Sequence, residues 1–213
     1  MDDTASGQEA TVFVVDDDVS ARRSLGWLLE SAGWAVDEFG SAEAFLQGYR
    51  HGRGGCALLD VRLPGISGLA LQDEMIRRGI TLPVIMLTGY SEVAIAVRAL
   101  QRGAFDFFEK PFAEEQLQAS VARAIELDAD RRRRHAERAW VSSRVGRLTP
   151  REREVMSGVV AGKANKVVAY ELGISQKTVE SHRARLMQKL EVQTLAELVR
   201  LDWLAVQEER QLA

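Results

Sequence analysis

The chain is poor in cysteine, in histidine and in long apolar runs. A single cysteine among 213 residues, Cys56, excludes an internal disulfide and fits a reducing cytoplasm. It precedes the apolar segment ALL, so a small buried hydrophobe is its expected role. No apolar stretch approaches the roughly 20 residues needed to cross a bilayer, and no membrane partner is expected. The opening residues are polar and acidic, the wrong chemistry for a signal peptide.

What is present points to two units. Hydrophobic residues make up 46% and charged residues 28%, ordinary for a globular chain. The net charge of −3 conceals an asymmetry. Residues 1–125 hold 11 basic and 18 acidic side chains, a net of −7, whereas residues 126–213 hold 17 and 13, a net of +4. An acidic half joined to a basic half implies different partners, the second a polyanion.

The acidic half alternates short apolar runs with amphipathic ones. TVFVV (11–15), WAVDEF (34–39), CALLD (56–60), LPVIML (82–87) and AFDFF (104–108) predict strands. Residues 20–32, 41–50, 67–78 and 91–102 carry helical spacing, and a further helix starts near Ala113. Gly33, Gly79 and Gly103 stand where helices should end. This alternation over residues 10–126 predicts an α/β domain, a doubly wound five-stranded parallel sheet covered on both faces.

Residues 127–146 are polar, carry the run Arg131–Arg134 and show no core position beyond Trp140. The lack of proline, with Ala, Glu and Arg richness, predicts a helical linker whose arginines form a solvated face. Residues 147–208 read as an all-α unit of four short helices. In LTPREREVMSGVVAG, Thr149 is an N-cap, Pro150 the first helical residue, and Glu152 follows closely.

In an open parallel sheet, ligands collect at the carboxyl ends of the strands. Asp16 and Asp17 end the first strand, Asp60 the third and Thr88 the fourth, and Lys110 follows the fifth. Three carboxylates, a hydroxyl and an ammonium suit a hard divalent cation beside a phosphoryl group. Without a cation the carboxylates repel one another; with Mg²⁺ they become ligands, and one becomes a usable nucleophile. A plainer reading, in which Asp16–Asp18 cap the next helix and Asp60 opens a turn, explains each aspartate singly. It does not explain their joint placement with Thr88 and Lys110.

VVDDD (14–18), LLDVRLPGISG (58–68), LTGY (87–90) and EKPF (109–112) resemble the receiver domain of bacterial two-component response regulators. The resemblance covers about residues 11–126 and implies a flavodoxin-like receiver. It implies Asp60 as phosphoryl acceptor, Asp17 as direct Mg²⁺ (or Mn²⁺) ligand, Asp16 as a ligand largely through water, and the Arg62 carbonyl as a further contact. It also implies that Thr88 and Lys110 grip the phosphoryl oxygens, that the Lys110–Pro111 peptide is cis, and that Phe107 turns inward as Thr88 moves. Asp18 is left outside the site as a helix cap. None of His51, His135 and His182 lies at this edge, so the donor is expected to be a phosphohistidine on a sensor histidine kinase. The receiver would catalyse only its own phosphorylation and dephosphorylation. Phosphorylation would promote homodimers through the fourth helix (about 91–101) and fifth strand.

In the basic half, the tight turn LGIS before a basic helix fits a helix-turn-helix. Val179, Leu186 and Leu190 fall on the inner face of that helix, and Glu180, Ser181, Ala184 and Arg185 on the outer one. Lys166, Lys177 and Lys189 flank it, suited to phosphate contacts. A helical bundle serving only dimerisation is the plainer alternative. LTPREREVMSGVVAGKANKVVAYELGIS and KTVESHRARLMQKL look like a LuxR-type DNA-binding domain, with Ala164 where relatives often carry proline. The whole chain thus resembles the FixJ/NarL class of transcription regulators, and its FixJ branch most closely. That resemblance places the helix 175–190 in the major groove of double-stranded promoter DNA. The contact set is then Lys166, Lys177, Thr178, Glu180, Ser181, Ala184, Arg185 and Lys189, with His182 as packing and RNA polymerase a candidate partner. Two rival classes stand beside this: a Mg²⁺-dependent phosphatase with its nucleophile after the first strand, and a pure protein-interaction module.

Overall fold

Alternate residues of the central strands feed two different cores. In the computed structural model, which describes residues 10–89 and 93–212 (side chains outside 93–96 and 206–212), the chain divides into two compact units, 1–132 and 133–213. In the first, β1 (Thr11–Val15), β2 (Ala35–Phe39), β3 (Gly55–Asp60), β4 (Val84–Gly89) and β5 (Asp106–Lys110) form one sheet in the order β2-β1-β3-β4-β5. All four pairings are parallel. Phe13, Val15, Ala57, Leu59 and Met86 point into one core, and Val12, Val14, Cys56, Leu58, Ile85 and Leu87 into the other. That is the two-residue pleat acting on strands too apolar to tolerate water on either face.

Helices supply the outer layers. α1 (Val19–Ser31) contributes Leu25 and Leu29 to the second core, and α5 (Glu114–Val145) contributes Leu117, Val121 and Ala124. α2 (Ala42–Gly48), α3 (Gly68–Arg77) and α4 (Val93–Gln101) cover the first core through Phe45, Leu71, Met75 and Ala99. The start expected for the fourth helix, and Tyr90, lie outside the described residues. Gly33, Gly79 and Gly103 follow helix ends at positive φ, as their spacing predicted. Cys56 is fully buried, and burial pushes its thiol up to about 12.

At the amino end of the sheet, buried Asp128 accepts the Gly55 N–H and the Arg132 Nε–H, each at 2.9 Å. The Arg132 guanidinium donates onward to the Gly52 carbonyl. Gly55, at φ 139°, permits this closeness to β1, because a Cβ there would stand 1.8 Å from the Thr11 carbonyl oxygen. Residues 127–132 of α5, read from sequence as linker, therefore pack on the receiver-like unit.

The second unit holds α6 (Pro150–Val160), α7 (Asn165–Leu172), α8 (Gln176–Leu190) and α9 (Leu195–Leu212). Its core includes Val155, Val159, Val168, Val179, Leu186, Leu190 and Leu198. Thr149 and Glu152 form a reciprocal capping box with Pro150 in the first turn. α7 ends on Gly173 in the left-handed conformation, and Ser175 caps α8 two residues later. Trp140 is not the core residue of its segment. It is 46% exposed beneath the Arg144 guanidinium, 3.9 Å from its ring centroid, while Val141 is fully buried. The flat indole serves better as a platform for a cation than as filler.

Candidate functional site

Sheet register alone brings the acidic strand ends together. Val15 pairs with Leu59, which sets Asp16 level with Asp60, and Asp60 pairs with Leu87, which sets Thr88 one residue beyond. Gly89 pairs with Lys110. The strand order reverses between β1 and β3, where open α/β sheets form their crevice.

One ammonium joins the two buried carboxylates. Lys110 Nζ lies 2.7 Å from Asp16 Oδ2 and 2.6 Å from Asp60 Oδ2. Burial pulls the Lys110 pKa down, but hydrogen bonds to both aspartates, together with their charge, outweigh that. The ammonium titrates above the ordinary lysine range. The other oxygens are held by backbone: Asp60 Oδ1 accepts the Arg62 N–H at 2.7 Å, and Asp16 Oδ1 accepts the Asp18 N–H at 2.9 Å. Asp18 caps α1 by accepting the Ser20 and Ala21 N–H groups, which hold its carboxyl below the usual range. Asp17 is exposed, and its carboxylate has no protein partner among the described residues. Thr88 is buried, with its hydroxyl on the Gly89 carbonyl. Phe107 is half-buried against the first core, and Lys110–Pro111 is cis.

Among the described residues, no three Asp, Glu, His or Cys side chains close on a common point. What converges is two carboxylates on one ammonium, with the unpartnered Asp17 adjacent. That leaves negative charge uncompensated and hard oxygens available, a donor set that suits a small divalent cation.

In the second unit, α8 exposes Lys177, Glu180, Ser181, Ala184 and Arg185, while α7 exposes Lys166. Thr178 is occupied in the cap: its N–H and hydroxyl both meet the Ser175 hydroxyl. Lys189, assigned from sequence to flanking phosphates, is partly exposed and also bonded within the unit. Its ammonium lies 2.7 Å from the buried Glu152 and 3.3 Å from the Arg147 carbonyl. His182 is half-buried, with Nδ1 enclosed.

Residues 12–122 match the family model of the response regulator receiver domain, and residues 146–201 match that of the bacterial regulatory proteins of the luxR family. The chain is 45% identical to the transcriptional regulatory protein FixJ of Azorhizobium caulinodans over 91% of its own length and 92% of that protein's. It is 44% identical to nodulation protein W of Bradyrhizobium diazoefficiens, over 93% and 87%. Among solved structures, it resembles the response regulator StyR with a TM-score of 0.85 at 40% identity, over 91% of this chain and 98% of that one. The chain belongs to the response regulators, in the FixJ branch of the LuxR-type class. This response regulator is a phosphorylation-controlled transcription regulator, with a receiver followed by a DNA-binding unit. The receiver implies a sensor kinase as partner, the LuxR-type unit implies DNA, and the family's role is regulation rather than substrate turnover. Receiver domains of response regulators generally use Mg²⁺ at the phosphorylation site. No helix among the described residues is long and apolar enough to cross a membrane.

Two residues of the response regulator's receiver take part in the site without having been given a role from sequence. Arg22 Nη1 donates to the Asp16 carbonyl at 2.6 Å, a contact signalled only by a basic residue one turn into α1. Gly68 starts α3 against the end of β3, its N–H donating to the Val61 carbonyl at 3.1 Å. A Cβ at Gly68 would stand 2.1 Å from the Asp60 carbonyl oxygen. Gly68→Ala is expected to force β3 and α3 apart, costing about 3 kcal/mol, and to slow phosphoryl uptake. Urea unfolding followed by circular dichroism checks the first effect, and acetyl phosphate labelling the second.

Proposed function

We propose that Asp60 is the phosphoryl acceptor and that the surrounding pocket performs the transfer by positioning and charge compensation. The observation that carries this reading is the Lys110 ammonium shared between Asp60 and Asp16. When an Asp60 oxygen bonds to phosphorus and the phosphorus–nitrogen bond to a kinase histidine breaks, negative charge spreads onto the phosphoryl oxygens. Lys110 is already within reach of that charge, so little reorganisation is needed. Asp17, Asp16, Asp60 and the Arg62 carbonyl would hold Mg²⁺, which when bound neutralises charge on the transferred group. Asp17 would serve as a direct ligand and Asp16 largely through water. The receiver thus catalyses only its own phosphorylation and dephosphorylation.

Thr88 moves toward the phosphoryl group and Phe107 turns inward behind it, reshaping the α4–β5 face so that two copies pair. α8 enters the major groove of promoter DNA. Lys166 and Lys177 contact phosphates, Ser181 and Ala184 allow close approach, Arg185 faces the groove, and Glu180 accepts from a cytosine amino group. Thr178, at the start of α8, and Lys189, partly exposed beside Glu152, complete the DNA-contacting set. RNA polymerase is the partner through which bound protein would act on transcription.

Measuring DNA affinity and mass in solution with and without beryllofluoride and Mg²⁺ tests the coupling. The expected result is tighter binding together with a doubled mass. Unchanged values in both measurements would overturn it.

A further inference from the structure

The acidic loop is clamped from behind by a pair of side chains that the pocket itself does not contain. The Arg22 guanidinium donates through Nη1 to the Asp16 carbonyl at 2.6 Å and sets its Nε 3.4 Å from Glu38 Oε2 on β2. Arg22 is recessed, with 15% of its side chain exposed, while Glu38 holds it from the solvent side with 35% of its own side chain exposed. Two glycines make room for the pair. A Cβ at Gly26 would stand 2.5 Å from Glu38 Oε1, and one at Gly40 would stand 3.4 Å from Arg22 Nη1. Around Asp16, the main-chain N–H donates to the Phe39 carbonyl at 3.2 Å and the side chain accepts from Asp18 N–H and Lys110. The main-chain carbonyl is the remaining polar group of that residue, and Arg22 takes it. Asp17, next in the chain, is exposed and has no side-chain partner among the described residues, so the contacts of its two neighbours are what hold that stretch of loop.

We infer that Arg22, anchored by Glu38, is a positioning residue that presets the Asp16–Asp17 loop for the divalent cation and thereby sets the affinity for Mg²⁺. This rests on the reading of the pocket given above. The planar fork matters because one rigid group must reach a carbonyl and a carboxylate at once, which a lysine ammonium on a flexible stem does poorly. Groups that orient metal ligands from behind typically govern affinity by about ten- to a hundredfold.

The test is Mg²⁺ titration of the full-length protein by calorimetry, with Mn²⁺ followed by electron paramagnetic resonance as a second probe. Arg22→Met is expected to weaken Mg²⁺ binding about tenfold, with the rate of acetyl phosphate labelling recovering at saturating Mg²⁺. Glu38→Gln should move affinity the same way by less. Arg22→Lys keeps the charge beside Glu38 and serves if the methionine variant fails to fold; it should lie between the two. A purely packing role would lower thermal stability without moving the metal dissociation constant, and that result would overturn the inference. Absence of Mg²⁺ binding by the unsubstituted protein would sink the pocket reading itself, which separates the two failures.

Discussion

Asp60→Asn is expected to take up no phosphoryl group from acetyl phosphate and Mg²⁺ while remaining folded. The amide is nearly isosteric with the carboxylate, and its oxygen can still accept the Arg62 N–H that Asp60 Oδ1 now accepts at 2.7 Å. What disappears is the nucleophile, because an amide oxygen cannot form the acyl phosphate. Lys110 keeps Asp16 as partner, so no buried ammonium is stranded. The variant should therefore show no mass gain, no response of DNA binding to phosphodonor, and a melting temperature close to that of the unsubstituted protein. Asp16→Asn should behave differently, retaining the acceptor and recovering labelling as Mg²⁺ is raised. The reverse pattern, with labelling surviving at Asp60→Asn and lost at Asp16→Asn, belongs to a phosphatase with its nucleophile after β1.

The second large effect is on the DNA-binding unit, and it comes from Glu152. This carboxylate is 4% exposed as a side chain, and its Oε2 accepts both the Thr149 N–H at 2.8 Å and the Lys189 ammonium at 2.7 Å. Truncation to alanine opens the capping box, worth about 1 kcal/mol, and strands Lys189. Breaking a buried pair costs about 3–5 kcal/mol, but Lys189 is partly exposed and can rehydrate, so a combined loss of about 2–4 kcal/mol is expected. Glu152→Gln keeps an acceptor for the cap and should lose about half as much. Hydrogen exchange of α6 and α8 in the full chain measures this directly. The pH dependence has a definite sign. The hydrogen bond from Lys189, with help from the Thr149 amide and hydroxyl, holds the Glu152 carboxyl below the usual range. Its contribution is complete above the ordinary glutamate value of about 4.3 and is lost as pH falls through the depressed folded value. The stabilities of unsubstituted protein and Glu152→Gln should therefore converge only in acid.

Strands were legible because a buried parallel sheet demands runs of apolar residues that nothing else in such a domain demands. The strand ends were less so. β4 and β5 begin at Val84 and Asp106, two residues after the apolar runs do, and continue through Thr88 and Lys110. Pro83 cannot donate to the ladder, and polar residues extend just as well when register carries them to a pocket. The pocket was legible in outline because far-separated residue types share one strand end, a relation set by topology. Arg22 was not, since its partner is a main-chain carbonyl and carbonyls leave no mark on a sequence. The pairing of Lys189 was hidden for a related reason: nothing in the sequence links it to the buried Glu152, 37 positions earlier. At Trp140 and Val141, size suggested the wrong core residue, because helix phase and not bulk decides which side chain faces inward.

The most direct measurement is to locate the modified residue. Full-length protein incubated with Mg²⁺ and acetyl phosphate, trapped by borohydride and mapped by peptide mass spectrometry, should carry its label on Asp60. Label on Asp16 or Asp17, or none at all in protein shown to be folded, would contradict the arrangement proposed for the pocket.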